Sequence, residues 1–65
     1  MWIAYRDESG AIAVTNVPSA ISYLLPFSTK DDARKACAEA AELKPEVSWR
    51  IINTDPHGPY GVRGV

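Results

Sequence analysis

The chain has 65 residues, of which 46% are hydrophobic and 23% are charged, and its formal net charge is −1. A chain of this length buries only about 60% of the surface that it exposes when unfolded, which excludes a second domain and a deep substrate cavity. The composition is typical of a globular protein and not of a disordered one. We therefore expect one small domain of marginal stability, for which association with a second copy or another protein is plausible.

The balance of charges argues against two classes of protein. Seven Lys and Arg residues stand against eight Asp and Glu residues, whereas a dedicated nucleic-acid binder usually has a basic excess that neutralises phosphates. A nucleic-acid mimic would need a dense acidic block, and the acidic pair Asp31–Asp32 is as long as any run of like charge here. Neither class is favoured.

Cysteine usage and the absence of targeting signals predict the compartment. The single cysteine, Cys37, cannot form an internal disulfide, and this fits a reducing environment. The first residues lack the basic segment and following apolar segment of a signal peptide. No apolar run approaches the ~20 residues that a membrane span needs. We therefore expect a cytoplasmic protein that is not bound to a membrane.

The first predicted element is a β-hairpin. Residues 2–6 are rich in aromatic and β-branched side chains, and residues 11–15 alternate small with β-branched ones. The polar residues 7–10 between them end in Gly10, which can adopt the positive φ of a hairpin loop. A short third strand is predicted over residues 20–25, where apolar side chains alternate between two prolines.

Residues 29–43 predict a helix. Thr29 is a favourable N-cap, and the acidic pair Asp31–Asp32 lies where the helix dipole favours carboxylates. One face of this helix is formed by small and apolar side chains at helical spacing: Ala33, Ala36, Cys37, Ala40 and Leu43. Because this stripe is mostly alanine, the larger core side chains must come from the strands. We predict these to be Ile3, Tyr5, Ile12, Val14, Ile21, Leu25, Trp49 and Ile51.

The C-terminal part predicts one more strand and a tail. Residues 47–53 place Val47, Trp49 and Ile51 on one face of a strand, and the Gly/Pro-rich residues 55–65 predict an irregular tail. The predicted organisation is therefore a single domain over residues 1–54, followed by a C-terminal tail over residues 55–65. The fold class is α+β, with a small antiparallel sheet of three to four strands and one helix on one face, in the order β-β-(β)-α-β.

A single helix covers only one face of such a sheet, so the opposite face is the candidate binding surface. If the large strand residues predicted for the core face the helix, the other face carries small residues together with large apolar and cationic ones. The large apolar and cationic residues are Trp2, Arg6, Leu24, Arg50 and Ile52. A one-residue change of register would exchange the two faces. Trp and Arg are enriched at protein interfaces and Lys is depleted there, and no predicted strand contains a lysine. A half-exposed face with a few incidental apolar residues explains this pattern as well as a homodimer or partner surface does.

The residues that carry catalytic chemistry are sparse. One His, one Cys and scattered carboxylates have no zinc-ligand spacing, so we predict no metal and no cofactor. Cys37 on the alanine stripe is expected to be a structural thiol, and His57 a solvated turn residue. The glycines of residues 58–64 lack the strand-to-helix context of a phosphate-binding loop. We therefore predict that the protein is not an enzyme.

The first hypothesis is a small non-enzymatic protein–protein interaction module that forms a homodimer. By analogy with the small products of phage and mobile-element genomes, such a protein would inhibit a host enzyme or a defence complex. A tail with aromatic and cationic residues can also become ordered on a partner. The predicted partner surface therefore combines the sheet face with the tail: Trp2, Arg6, Leu24, Arg50, Ile52, His57, Tyr60 and Arg63.

Two alternatives stay open from the sequence. A nucleic-acid-binding protein would stack bases on Trp2 and contact phosphates with Arg6 and Arg50, although the near-neutral charge makes nucleic acid an unlikely partner. A small enzyme would assemble its site across a dimer interface, with His57, Tyr60 and Arg63 supplied by the tail.

Overall fold

The computed structural model describes residues 1–18, 25–54 and 56–65. The elements in chain order are β1 (Trp2–Arg6), β2 (Ile12–Asn16), α1 (Lys30–Leu43), β3 (Trp49–Asn53) and β4 (Tyr60–Gly64). The strands form one antiparallel sheet in the order β2-β1-β4-β3, and α1 packs against one face of it. The predicted α+β class, with one helix on one face of a small antiparallel sheet, is confirmed.

The fourth strand does not lie where a further strand was predicted. The strand predicted over residues 20–25 lies outside the described residues apart from Leu25, which is in no strand. Tyr60–Gly64, expected within an irregular tail, is instead a central strand between β1 and β3. The expectation of an irregular tail is therefore wrong for β4. Its two glycines are held in the ladder by backbone pairing: Gly64 pairs with Trp2 of β1 and Trp49 of β3, and Gly61 pairs with Ile52 of β3.

The predicted hairpin is confirmed, and a single carboxylate organises its loop. Asp7 Oδ1 accepts hydrogen bonds from the Ser9 backbone N–H at 2.9 Å, the Ser9 hydroxyl at 2.6 Å and the Ala11 backbone N–H at 3.1 Å. Gly10 has a φ of 85°, which a side chain would disfavour. The Ser9 hydroxyl, with the backbone N–H groups, lowers the pKa of Asp7 from its ordinary value. The loop is therefore held most firmly while Asp7 is ionised.

Acid is expected to weaken this loop through Asp7. A carboxyl whose pKa is depressed in the folded state stabilises the fold above its unfolded pKa, and this stabilisation is lost as the pH falls through the folded pKa. We expect Asp7→Asn to lower the melting temperature at pH 6 and to have a progressively smaller effect as the pH approaches 3. Thermal denaturation followed by circular dichroism measures this. The control is Glu8→Gln, which removes the neighbouring charge, and an Asp7→Asn effect independent of pH would contradict the prediction.

The helix begins and ends as its sequence predicts. The Thr29 hydroxyl accepts a hydrogen bond from the Asp32 backbone N–H at 3.1 Å, and the Lys44 backbone N–H bonds to the Ala40 carbonyl. Three alanines of the predicted stripe, Ala33, Ala36 and Ala40, are fully buried. Leu43 is 54% exposed and does not join the core. The alanines let α1 lie close to the sheet.

The core lies between this alanine face and the sheet. Its buried members are Ala4, Ile12, Phe27, Ala33, Ala36, Ala40 and Val62, with Val14, Cys37, Trp49, Ile51 and Tyr60 packed at its margin. Strands β2 and β3 therefore turn the predicted side chains toward α1. Strand β1 does not, because it presents Ala4 to the helix and turns Ile3 and Tyr5 away. The predicted orientation of β1 is therefore wrong. The helix packs so closely on the sheet that the small Ala4, and not Ile3 or Tyr5, lies beneath it.

Phe27 joins the segment before α1 to the sheet. Its backbone N–H and carbonyl bond to the carbonyl and N–H of Tyr60, at 2.9 Å and 2.6 Å. Its side chain, 1% exposed, is one of the two largest fully buried ones among the described residues. Phe27 therefore fixes the start of β4 and fills the core beside α1 at the same time.

Candidate functional site

The candidate site lies on the sheet face away from α1, called here the distal face. Side chains alternate between the two faces along a strand, so the residues between those that contact the core point to this face. Its described residues are Ile3, Tyr5, Ala13, Thr15, Arg50, Ile52, Gly61 and Arg63. None of these is acidic, and two are arginines.

The structure brings together only part of the predicted partner surface. Arg50 and Ile52 lie on the distal face as predicted, and Arg63, predicted in the tail, joins them there through β4. Leu24 lies outside the described residues. His57 is exposed in the turn between β3 and β4, and Tyr60 packs at the margin of the core.

Trp2 was predicted on the distal face, and this is wrong. Along β1 it alternates in step with Ala4, so it lies on the side of α1. The ammonium group of Lys44, the residue at the end of α1, lies 4.3 Å from the centre of the Trp2 ring. This is a cation–π contact that joins β1 to the C-terminal end of the helix. Trp2 therefore has a structural partner.

Arg6, predicted on the distal face, is also on the side of α1. Its guanidinium donates to Asp32 Oδ1 at 2.6 Å and to the Gly10 carbonyl at 2.9 Å. The hydrogen bond to Asp32 raises the pKa of Arg6 above its ordinary value. Arg6 thus links the hairpin to the first turn of the helix and does not contribute to the candidate site.

Arg50 and Arg63 lie directly opposite each other on β3 and β4. Ser48 and Val65, two positions along, exchange both backbone hydrogen bonds at 3.2 Å. Since bonded and non-bonded pairs alternate, Arg50 and Arg63 form a bonded pair with Cα atoms about 5.5 Å apart. Two like charges in this position are unfavourable. In the described part of the chain, no carboxylate forms an ion pair with either arginine.

Apolar side chains adjoin this arginine pair. Ile52 is on the same face as Arg50, two residues along β3, and is half-buried. On the other side, Arg63 is paired with Ile3, which is only 6% exposed. The long stem of an arginine can cover such apolar surface while its guanidinium stays in water. Ile3 itself is buried, so the distal face combines the two cationic groups with the apolar surface of Ile52 at its β3–β4 side.

The surroundings of Cys37 do not activate its thiol. Cys37 is half-buried against the core, and burial raises the pKa of its thiol, which lowers the thiolate fraction at neutral pH. Across residues 1–18, 25–54 and 56–65, His, Cys, Asp and Glu side chains form no group of three or more that could hold a metal ion. Within the same ranges, no helix is long and apolar enough to cross a membrane.

Comparison of the chain with models of protein families, with curated proteins and with solved structures found no match.

The pairing of the two arginines is not evident from the sequence. This pairing needs β4, whereas the glycines of residues 58–64 are typical of a tail. The sequence does contain a signal, because the apolar residues Tyr60 and Val62 alternate with Gly61 and Arg63, a period of two that is typical of a strand. Tyr5 was likewise assigned to the core, although it lies on the distal face.

Proposed function

We propose that this protein is a non-enzymatic module that binds another protein through the β3–β4 side of its distal face. The observation that supports the proposal is the arginine pair Arg50–Arg63 beside Ile52. Arginine combined with apolar surface is typical of the energetically important parts of protein interfaces. The pair also costs the free protein stability through charge repulsion, and an anionic partner would relieve this cost.

A protein partner is favoured over a nucleic acid by the distribution of charge. Nucleic-acid affinity depends on neutralising several phosphates, and the described distal face has two cationic side chains. The two other residues of the nucleic-acid hypothesis, Trp2 and Arg6, contact Lys44 and Asp32 on the other side of the sheet. By covering a surface of its partner, such a module would inhibit an enzyme or a defence complex.

The predicted homodimer is not expected to form through the distal face. Two copies placed face to face would bring four arginines together without an acidic side chain from the described distal-face residues. Each arginine would lose hydration without gaining an opposite charge, which costs several kcal/mol by the general cost of burying ions. The distal face is therefore assigned to a different protein.

The proposal predicts that charge reversal on the distal face abolishes partner capture. The protein is immobilised and exposed to extract, and retained proteins are identified by mass spectrometry for the wild type and for Arg50→Glu/Arg63→Glu. We expect the wild type to retain a protein that this double variant does not retain.

The matched control is Arg34→Glu/Lys35→Glu, which makes the same change of charge at two exposed positions of α1. This control should retain the same protein as the wild type. If the distal-face variant retains it equally well, or if both double variants lose it equally, the proposed function is wrong.

A further inference from the structure

The backbone of β3 offers a second feature beside the arginine pair. Among the described strands, β3 is at an edge of the sheet, with β4 as its one neighbour. Arg50 and Ile52 form the bonded pairs with β4, so the N–H and carbonyl groups of Trp49 and Ile51 point away from β4. Among the described residues, none forms a backbone hydrogen bond with these outward groups. Such an edge can accept a further strand.

An added antiparallel strand would bring a side chain of the partner next to Arg50. Its residues would form bonded pairs with Trp49 and Ile51, and the residue between them would lie opposite Arg50 in a non-bonded pair. The Cα atoms of such a pair are about 4.5 Å apart, and their side chains are on the same face. Arg63 lies on the far side of Arg50 from this added residue, with its Cα about 5.5 Å from that of Arg50 and its side chain on the same face. A carboxylate on this added residue would therefore lie within reach of both guanidinium groups.

We infer that β3 is the docking edge for an extended segment of another protein that carries an acidic residue opposite Arg50. This inference rests on the proposed function and specifies the chemistry of the partner. Backbone hydrogen bonds to Trp49 and Ile51 supply affinity, and the ion pair of the partner's carboxylate with Arg50, reinforced by Arg63 on the next strand, supplies specificity.

A second copy of this chain does not fit this edge. Antiparallel pairing of β3 with the same strand of another copy places the arginine pairs of both copies on one face of a continuous sheet. Four like charges would then lie within a few strand spacings. The strand itself, Trp49–Asn53, contains no acidic residue that could compensate. Charge complementarity therefore selects an acidic partner.

The test uses a short capped peptide of alternating threonine and valine with a glutamate at its central position. In an NMR titration, we expect the amide signals of Trp49 and Ile51 to move and their hydrogen exchange to slow. Replacing the glutamate by glutamine should weaken binding about tenfold, because the hydrogen bonds to the guanidinium groups lose their charge assistance. No movement of these signals at millimolar peptide, or equal affinity of both peptides, overturns the inference.

Two N-methylated peptides separate strand addition from simple ion pairing. N-methylation of the residues that flank the glutamate removes the N–H groups directed at β3, and this should abolish binding. N-methylation of the glutamate itself removes an N–H that points away from β3, and this should leave binding unchanged. Equal binding of both peptides contradicts the predicted register.

The variant Arg63→Glu separates binding from stability. If Arg63 had only a structural role, a more stable variant would not bind the peptide more weakly. The substitution replaces a like-charge pair by an opposite-charge pair on β3 and β4, so we expect a melting temperature higher by a few degrees. The same variant should bind the glutamate peptide at least tenfold more weakly. An unchanged peptide affinity in this variant overturns the inference.

The outcomes distinguish this inference from the proposed function. If a protein is captured through Arg50 and Arg63 while the glutamate peptide does not bind, the proposed function stands and the β3 edge is wrong. If capture does not depend on the two arginines, the proposed function is wrong. If oligothymidylate moves the signals of Trp49 and Ile51 at lower concentration than the peptide, a nucleic acid replaces the acidic segment and the inference is overturned.

Discussion

Phe27→Ala is expected to leave the protein largely unfolded at 25 °C. The Phe27 side chain is 1% exposed and belongs to the core cluster that joins α1 to the sheet. Truncation of a buried phenylalanine costs about 3–5 kcal/mol, and the core of a chain this small rarely supplies more than that in total. The variant should show little cooperative thermal transition by circular dichroism.

The control for this prediction is Phe27→Leu, which keeps an apolar side chain at the same position. It should fold cooperatively with a lower melting temperature, because the leucine fills part of the space. The backbone bonds between Phe27 and Tyr60 are available to both variants, so the comparison isolates the side chain. A melting temperature of Phe27→Ala close to that of the wild type would contradict the assigned core.

Gly64→Ala is expected to produce the second large loss of stability. A Cβ at Gly64 would overlap Val47 Cγ1 and would lie 3.0 Å from Trp49 Cε3. The Trp49 ring has little freedom to move, because its Nε1 donates to the Lys44 carbonyl at 3.0 Å. Overpacking of this kind costs about 1–3 kcal/mol. Urea denaturation followed by tryptophan fluorescence measures the loss.

A double-mutant cycle tests the cause of this loss. Val47→Ala removes the methyl group closest to the new Cβ, so Gly64→Ala should cost less in the Val47→Ala background than in the wild type. Gly10→Ala provides a second comparison, because no described atom would lie within 4 Å of an alanine Cβ at that position and only the φ of 85° opposes the substitution. Additive effects of Val47→Ala and Gly64→Ala would show that the close contact is not the cause.

Local signals in the sequence were sufficient for the hairpin and the helix. The cap at Thr29 and the alanine spacing of α1 depend on residues within a few positions of each other, and both were found. The orientation of β1 was not found, because four consecutive residues, Trp2 to Tyr5, are apolar or aromatic and show no alternation. Only the close approach of α1 over Ala4 decides which side is buried.

The candidate site could be predicted only in part for the same reason. Arg50 and Ile52 were assigned to the correct face, because Trp49 and Ile51 alternate with them clearly. The pairing of Arg50 with Arg63 depends on a strand whose glycines resemble a loop. One of these, Gly64, is required because the Trp49 ring and Val47 occupy the space of a side chain, and no sequence rule shows this contact.

The central position of β4 also determines how the protein folds. Trp2 pairs with Gly64, so the two central strands come from opposite ends of the chain. When β1 and β4 meet, they close a loop of nearly the whole chain. The conformational entropy of this loop is lost before any β1–β4 contact forms to stabilise the fold. The hairpin alone leaves one face of its strands without a core, and α1 has only small side chains to bury. We therefore expect folding to be a single cooperative step whose rate is limited by the meeting of β1 and β4.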